Sequence, residues 1–354
     1  MNMLNNNRGE REQWVDLAKA VGILAVVVAH AIPKDFLLWR IINQFHMPLF
    51  YFLSGYLYRS KKNFRQFLLK KIQSLFVPYF LSVISGYALM VVTGYEPLSI
   101  KSILKIVIME YNGSLFGATW FIGVLFYALI TYESIWRIAR YFLKNKKECF
   151  VLFVCILCLL VGVRTQFPLR ISNIMVAIGF IELGKIAAQK ETCKKNTPLI
   201  IPIIMLILLI LLGKENNVSV SQNTYDNIFL FLFCAAIGIF VTCSICYKVS
   251  TKTQFLRSWL GRQCLFVGQN TIGVVLWQFW SFKLVMLLQI LYTRSSFKLL
   301  SAYPVIYEFT SIPWVILLCL SGVYVSIACY KLCYLFAKKI RNYCDRPSNM
   351  STGY

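Results

Sequence analysis

The chain reads as an all-α, multi-pass membrane protein, and three observations carry that reading. Hydrophobic residues make up 58% of the 354 positions and charged residues only 14%, with a mean hydropathy of +0.64. A soluble fold of this composition would leave large apolar patches facing water. The apolar residues gather into runs that approach or exceed the ~20 needed to span a bilayer. Finally, Lys and Arg crowd into every second connector, as they do in loops retained on the cytoplasmic side.

Taken in order, the runs fall at about residues 14–33, 43–59, 75–94, 117–141, 150–164, 171–188, 198–213, 227–248, 270–292 and 311–337. This spacing predicts about ten transmembrane helices, of which the fifth and seventh are short. A polar N-terminal tail (1–13) precedes the membrane domain (14–337), and a basic tail (338–354) follows it. Placing both termini in the cytoplasm puts the basic residues inside over outside at roughly three to one, alternating along the chain. The net charge of +23 is scattered in these short clusters, the pattern of a lipid surface rather than of a nucleic-acid face. The polar start and the absence of a small-residue cleavage site argue against a removable signal peptide.

Chemistry concentrates in the first two runs. WVDLAKAVGILAVVVAH (14–30) and FHMPLFYFLSGY (45–56) carry the chain's only histidines, His30 and His46, together with Asp16 and Lys19. Eleven residues separate Lys19 from His30, so at about 100° per residue they share a helix face, about 16 Å apart in depth. Asp16, three residues before Lys19, lies on that face and is placed to orient it. His46 is expected to open the second helix from outside, with Pro48 in its first turn, which puts the two imidazoles at similar depth. Either histidine alone reads equally well as a hydrogen-bonded core residue. Both together, in phase with a lysine, point to proton transfer.

Other polar positions have plainer readings. The two CxxC pairs, Cys155/Cys158 and Cys243/Cys246, lie within apolar runs and are expected to act as small hydrophobes rather than metal ligands. Glu182 and Lys185, three residues apart, are expected to pair with each other. Glu133 and Lys283 either line a cavity or serve structure. The basic run at 59–71 occurs in many polytopic proteins for orientation alone.

WVDLAKAVGILAVVVAH, FHMPLFYFLSGYLY, the basic run KKNFRQFLLKKIQSLFVPY and ATWFIGVLF together resemble the acyltransferase 3 family of integral membrane O-acyltransferases. The likeness is strongest to its fucose 4-O-acetylase-like group. Several implications follow from the resemblance. Lys19 and His30 match a basic residue and a membrane histidine eleven positions apart; Trp120 of ATWFIG matches a family tryptophan segment. The donor would be acetyl-CoA, a co-substrate rather than a resident cofactor, with its phosphates met by Lys19 and by the Arg65, Lys70 and Lys71 cluster that runs on to Tyr79. His30 would be the general base and His46 would lie beside the oxyanion donors, with an acetyl-histidine intermediate as the alternative. The acceptor would be a glycan or lipid-linked glycan, and the location the bacterial cytoplasmic membrane. No metal and no nucleic acid are implied. In one departure, GQNTIGVVLWQFW places Gln278 where the family pattern has histidine; it is expected to remain a polar cavity-lining residue. On composition alone, a glycan transporter or flippase, or a non-catalytic membrane component of a glycan-assembly complex, fits the same layout.

Overall fold

The computed structural model describes residues 12–344, except 112, 114, 144, 145, 196 and 310. Most of the two tails, with Arg8, Arg11 and Arg346, therefore lies outside the described residues, as does Lys144. Helices occupy each of the ten apolar segments. They are α1 (Gln13–Ala31), α2 (Leu37–Tyr56), α3 (Phe64–Lys71) continued through a π turn (Ile72–Phe76) into α4 (Val77–Val92), α6 (Trp120–Phe142), α7 (Lys147–Gly162), α8 (Ile171–Gln189), α9 (Ile200–Gly213), α10 (Ile228–Ser250), α13 (Thr271–Thr293), and α14 (Ile312–Leu320) continued through a second π turn (Ser321–Val325) into α15 (Ser326–Cys344). Seven of these segments are long and apolar enough to cross a membrane; α2, α7 and α9 are not among the seven.

Shorter helices lie between the long ones: α5 (Ile100–Val107), α11 (Thr253–Arg257) and α12 (Trp259–Gln269). α12 abuts α1 so closely that a Cβ at Gly268 would overlap the carbonyl of Asp16. α2 and α8 approach as closely, at two points. There a Cβ at Gly55 would overlap the carbonyl of Ile181, and one at Gly184 the carbonyl of Phe52. Small residues at a crossing let backbones approach where no hydrophobic drive exists between helices in lipid.

α2 starts well before the sequence suggests. Its first turns, LLWRIINQ, mix apolar and polar residues, so hydropathy dates the helix from about residue 43, whereas it begins at Leu37. Pro48 is consequently an interior proline, not a first-turn one, and it removes the backbone bond to the carbonyl of Gln44. His46 likewise sits in the body of α2 rather than at its opening.

Polar groups hold the ends of the bundle. Glu12 accepts from the indole of Trp14 at 2.7 Å and from the Tyr56 hydroxyl at 3.0 Å, and pairs with Lys194 at 3.2 Å. These bonds tie the start of α1 to the end of α2 and to the α8–α9 connector. Glu182 and Lys185 do not form the direct pair the spacing suggests. Glu182 instead accepts from Tyr132, and the Lys185 ammonium stands 3.0 Å over the Trp136 ring.

Among the described residues the only strands are β1 (Val218–Ser219) and β2 (Thr224–Tyr225), an antiparallel hairpin between α9 and α10. It is held from several sides. Asn223 donates to the carbonyls of Gly162 and Thr165, both at 2.8 Å, and Asn173 donates to Val220 at 2.6 Å. Gln44 of α2 donates to the carbonyl of Asn216 at 2.6 Å, and the Asn216 amide donates back to Gln44.

Candidate active site

One stripe of α2 lines two cavities, the one beside the α1–α2 loop here called outer or upper and the other inner or lower. Trp39, Asn43, His46 and Met47 face an outer cavity of about 740 Å³. Phe50, Leu53 and Ser54, with Leu57 just past the end of the helix, face an inner cavity of about 230 Å³. Steps of three and four residues keep all eight on one face of the helix. α1 contributes to both, with Lys19 below and His30 above, and α6 does the same, with Trp120 above and Phe121, Ile122 and Leu125 below.

The two cavities are separated by a thin layer of side chains. The Phe121 ring lies 5.5 Å from that of Phe50 and 5.3 Å from that of Tyr51, centroid to centroid. Along α2 only one turn separates Met47, in the outer wall, from Phe50, in the inner.

In the outer cavity both histidines reach the same space. The His46 Nδ1 lies 2.8 Å from the carbonyl of Ile42. A carbonyl only accepts, so Nδ1 carries the proton and Nε2 of the neutral ring is left as an acceptor. The His30 ring packs edge-on against Phe279, 5.0 Å between centroids. The rest of the wall is polar and aromatic. Lys34 and Asp35 come from the α1–α2 loop, the hairpin supplies residues 217–222, 224 and 226, and Tyr303 and Tyr307 come from the segment after α13.

The inner cavity is apolar save for Lys19, Lys71, Ser54, Ser74 and Thr271. Lys71 ends α3, and the π turn that follows carries Ser74 and Leu75 into the wall. π turns often mark functional sites because the widened backbone re-aims side chains. The Lys19 ammonium lies 4.0 Å from buried Asp16, which also accepts from Gln269 at 3.4 Å.

The structure therefore brings Lys19 together with Lys71, and His30 with His46 and Trp120. The remaining candidates go elsewhere. Arg65 and Lys70 are exposed on α3. Tyr79 is fully buried and lines neither cavity. Glu133, expected as a lining residue or a structural one, is a tether: it accepts from Tyr58, from Ser60 at 2.8 Å and from Arg137 at 2.7 Å. Lys283 is a tether as well, donating to the carbonyls of Leu300 and Ala302 at 2.8 and 2.6 Å. Gln278 does not line either cavity. It is wholly buried, and neither atom of its amide has a hydrogen-bond partner among the described residues.

Sequence reasoning missed the hairpin, Trp39, Tyr303 and Tyr307. The hairpin did leave a signal in VSVSQNTY (218–225), where apolar and polar residues alternate into a Gln-Asn turn. The tyrosines left none, because a connector aromatic looks the same whether or not it meets a cavity.

A sequence model of the acyltransferase 3 family, described as an acyltransferase domain, matches residues 12–331. No curated protein and no solved structure matches the chain.

Proposed function

Because the chain belongs to the acyltransferase 3 family and is thereby an acyltransferase, we propose that it moves acetyl from cytoplasmic acetyl-CoA to a sugar hydroxyl, as the fucose 4-O-acetylase-like group does. The acceptor is a surface polysaccharide or its lipid-linked precursor, and the site is the bacterial cytoplasmic membrane. The observation that carries this reading is the pair of stacked cavities, the lower with two ammonium groups and the upper with two imidazoles.

In this reading all ten apolar helices span, and both termini face the cytoplasm. The basic bias of alternate connectors supports that orientation. A reporter fused at the C-terminus and active only outside would overturn it.

Lys19 and Lys71 meet the anionic end of the donor at the inner mouth, as point charges suited to phosphate. Arg65 and Lys70, exposed nearby, add to the field there. The pantetheine arm lies along the apolar wall and brings the thioester toward His30. The acceptor enters the upper cavity, where His30 takes the proton of its hydroxyl. The oxygen attacks the thioester carbonyl, the C–S bond breaks, and the proton leaves with the thiolate. Nε2 of His46, a fixed acceptor, orients the sugar through a further hydroxyl.

The test is the O-acetyl content of surface polysaccharide, by proton NMR, in cells deleted for the gene, restored with it, or restored with His30→Ala. Loss on deletion and failure of a well-expressed His30→Ala are expected, with a fall in transfer of about a hundredfold or more. Unchanged acetylation with reduced export would instead indicate a transporter.

A further inference from the structure

We propose that Trp120 is the platform on which the acceptor's ring stacks, that Arg170 is the residue that positions it, and that the ring is a neutral pyranoside. The proposal deepens the acetyltransfer reading and rests on it for the identity of the acceptor, though not for the geometry.

Trp120 opens α6, is 6% exposed, and is one of the residues lining the outer cavity with His46 and Met47. On the ring stands the guanidinium of Arg170, 5.3 Å from its centroid. Arg170 itself lines neither cavity. Its Nε lies 3.5 Å from a Glu110 carboxylate oxygen, and its terminal nitrogen donates to the carbonyl of Ser221 at 2.8 Å. One planar cation thus fixes the indole, the loop before α6 and the hairpin that walls the cavity. Its backbone is left-handed, at φ 54, directly after Leu169 at φ 53. Two such residues in succession persist only where the surroundings over-determine them.

A π face attracts both a cation and polarised C–H bonds. With Arg170 stacked on the indole, Trp120 has little freedom to turn, and a fixed aromatic binds at low entropic cost. A pyranose has a C–H face that suits such a ring, and its hydroxyls suit the surrounding amides and hydroxyls of Asn43, Ser219 and Thr224. The charged lining is balanced, Lys34 and Arg40 against Asp35 and Asp226. A uronic or sialic acid would find no net cationic field there. The volume of about 740 Å³ lies within the ~300–1,000 Å³ of pockets that enclose ligands larger than one sugar.

The full chain in lipid nanodiscs is titrated with methyl glycosides of neutral hexoses and with methyl glucuronide, and binding is read by saturation-transfer NMR. Acetyl transfer from acetyl-CoA to the same glycosides is followed in parallel. The wild type should bind the neutral glycosides in preference to the glucuronide. Trp120→Leu should weaken that binding about tenfold or more, and Trp120→Phe much less. Arg170→Lys, which keeps the charge and loses the planar fork, should raise the acceptor KM severalfold and leave kcat and the acetyl-CoA KM within about twofold. Binding that is unchanged in Trp120→Leu, preferred by the glucuronide, or absent in the wild type overturns the platform. So does a parallel rise of both KM values in Arg170→Lys. Intact, Trp120-dependent binding without any transfer would sink the acetyltransferase reading and leave the platform standing.

Discussion

Gln278 is an amide buried without a partner among the described residues, and leaving such a group unsatisfied costs about 1–3 kcal/mol. Gln278→Met fills a similar volume and removes the cost. The variant is expected to unfold later than wild type in detergent, by about 1–3 kcal/mol, with acetyl transfer retained. Lower stability, or lost transfer in a stable variant, would mean that the amide has a partner in the working enzyme. The same scale sets the limit of what a sequence reveals about single residues. Lys19 and His30 were legible because a helix turns by a known angle and both charges are costly in lipid. Glu133 and Lys283 were just as visible as costly charges. Their roles were not, because their partners, Tyr58, Ser60 and the carbonyls of Leu300 and Ala302, come from connectors whose path the local sequence does not encode. Arg170 joins three elements, and nothing in its local sequence sets it apart from other basic connector residues.

At the scale of elements, the α2–α8 crossing depends on two glycines, Gly55 and Gly184, each facing a carbonyl of the opposite helix. Gly184→Leu forces the helices apart at their closest point, and overpacking of this kind costs about 3 kcal/mol. The expected outcome is a marked loss of thermal stability, larger than that of Leu183→Ala on the exposed side of α8. An unchanged melting temperature would show that the crossing can open without penalty. Helices stand at all ten apolar runs, and seven of them have the length and hydrophobicity together that a bilayer demands. Their starts were less legible. α2 was dated late because Arg40, Asn43 and Gln44 dilute its first turns. Two of these residues serve the outer cavity, and Gln44 holds the hairpin loop. A helix that must be wet on one face looks shorter than it is. The hairpin was missed for a related reason: two residues per strand carry too little alternation to stand out from a loop.

Over the whole molecule, the layout follows from one asymmetry. On the proposed orientation, cations gather at the inner ends of the helices, and the outer connectors carry fewer of them. Charge alternation in the sequence is what suggests that orientation, while the stacking of two cavities on a single stripe of α2 required the packed bundle. The layer between the cavities, Phe50 against Phe121, has a consequence for steady-state kinetics. On the proposed reading, donor and acceptor approach through opposite mouths and do not compete for a shared entrance. Free CoA should then inhibit competitively against acetyl-CoA and noncompetitively against the sugar. Double-reciprocal plots in which the two substrates are varied should intersect if the acyl group passes directly between them. Parallel lines would mean instead that it rests on an imidazole while the thiol departs below, and the barrier of two phenyl rings would then divide the reaction in time as well as in space.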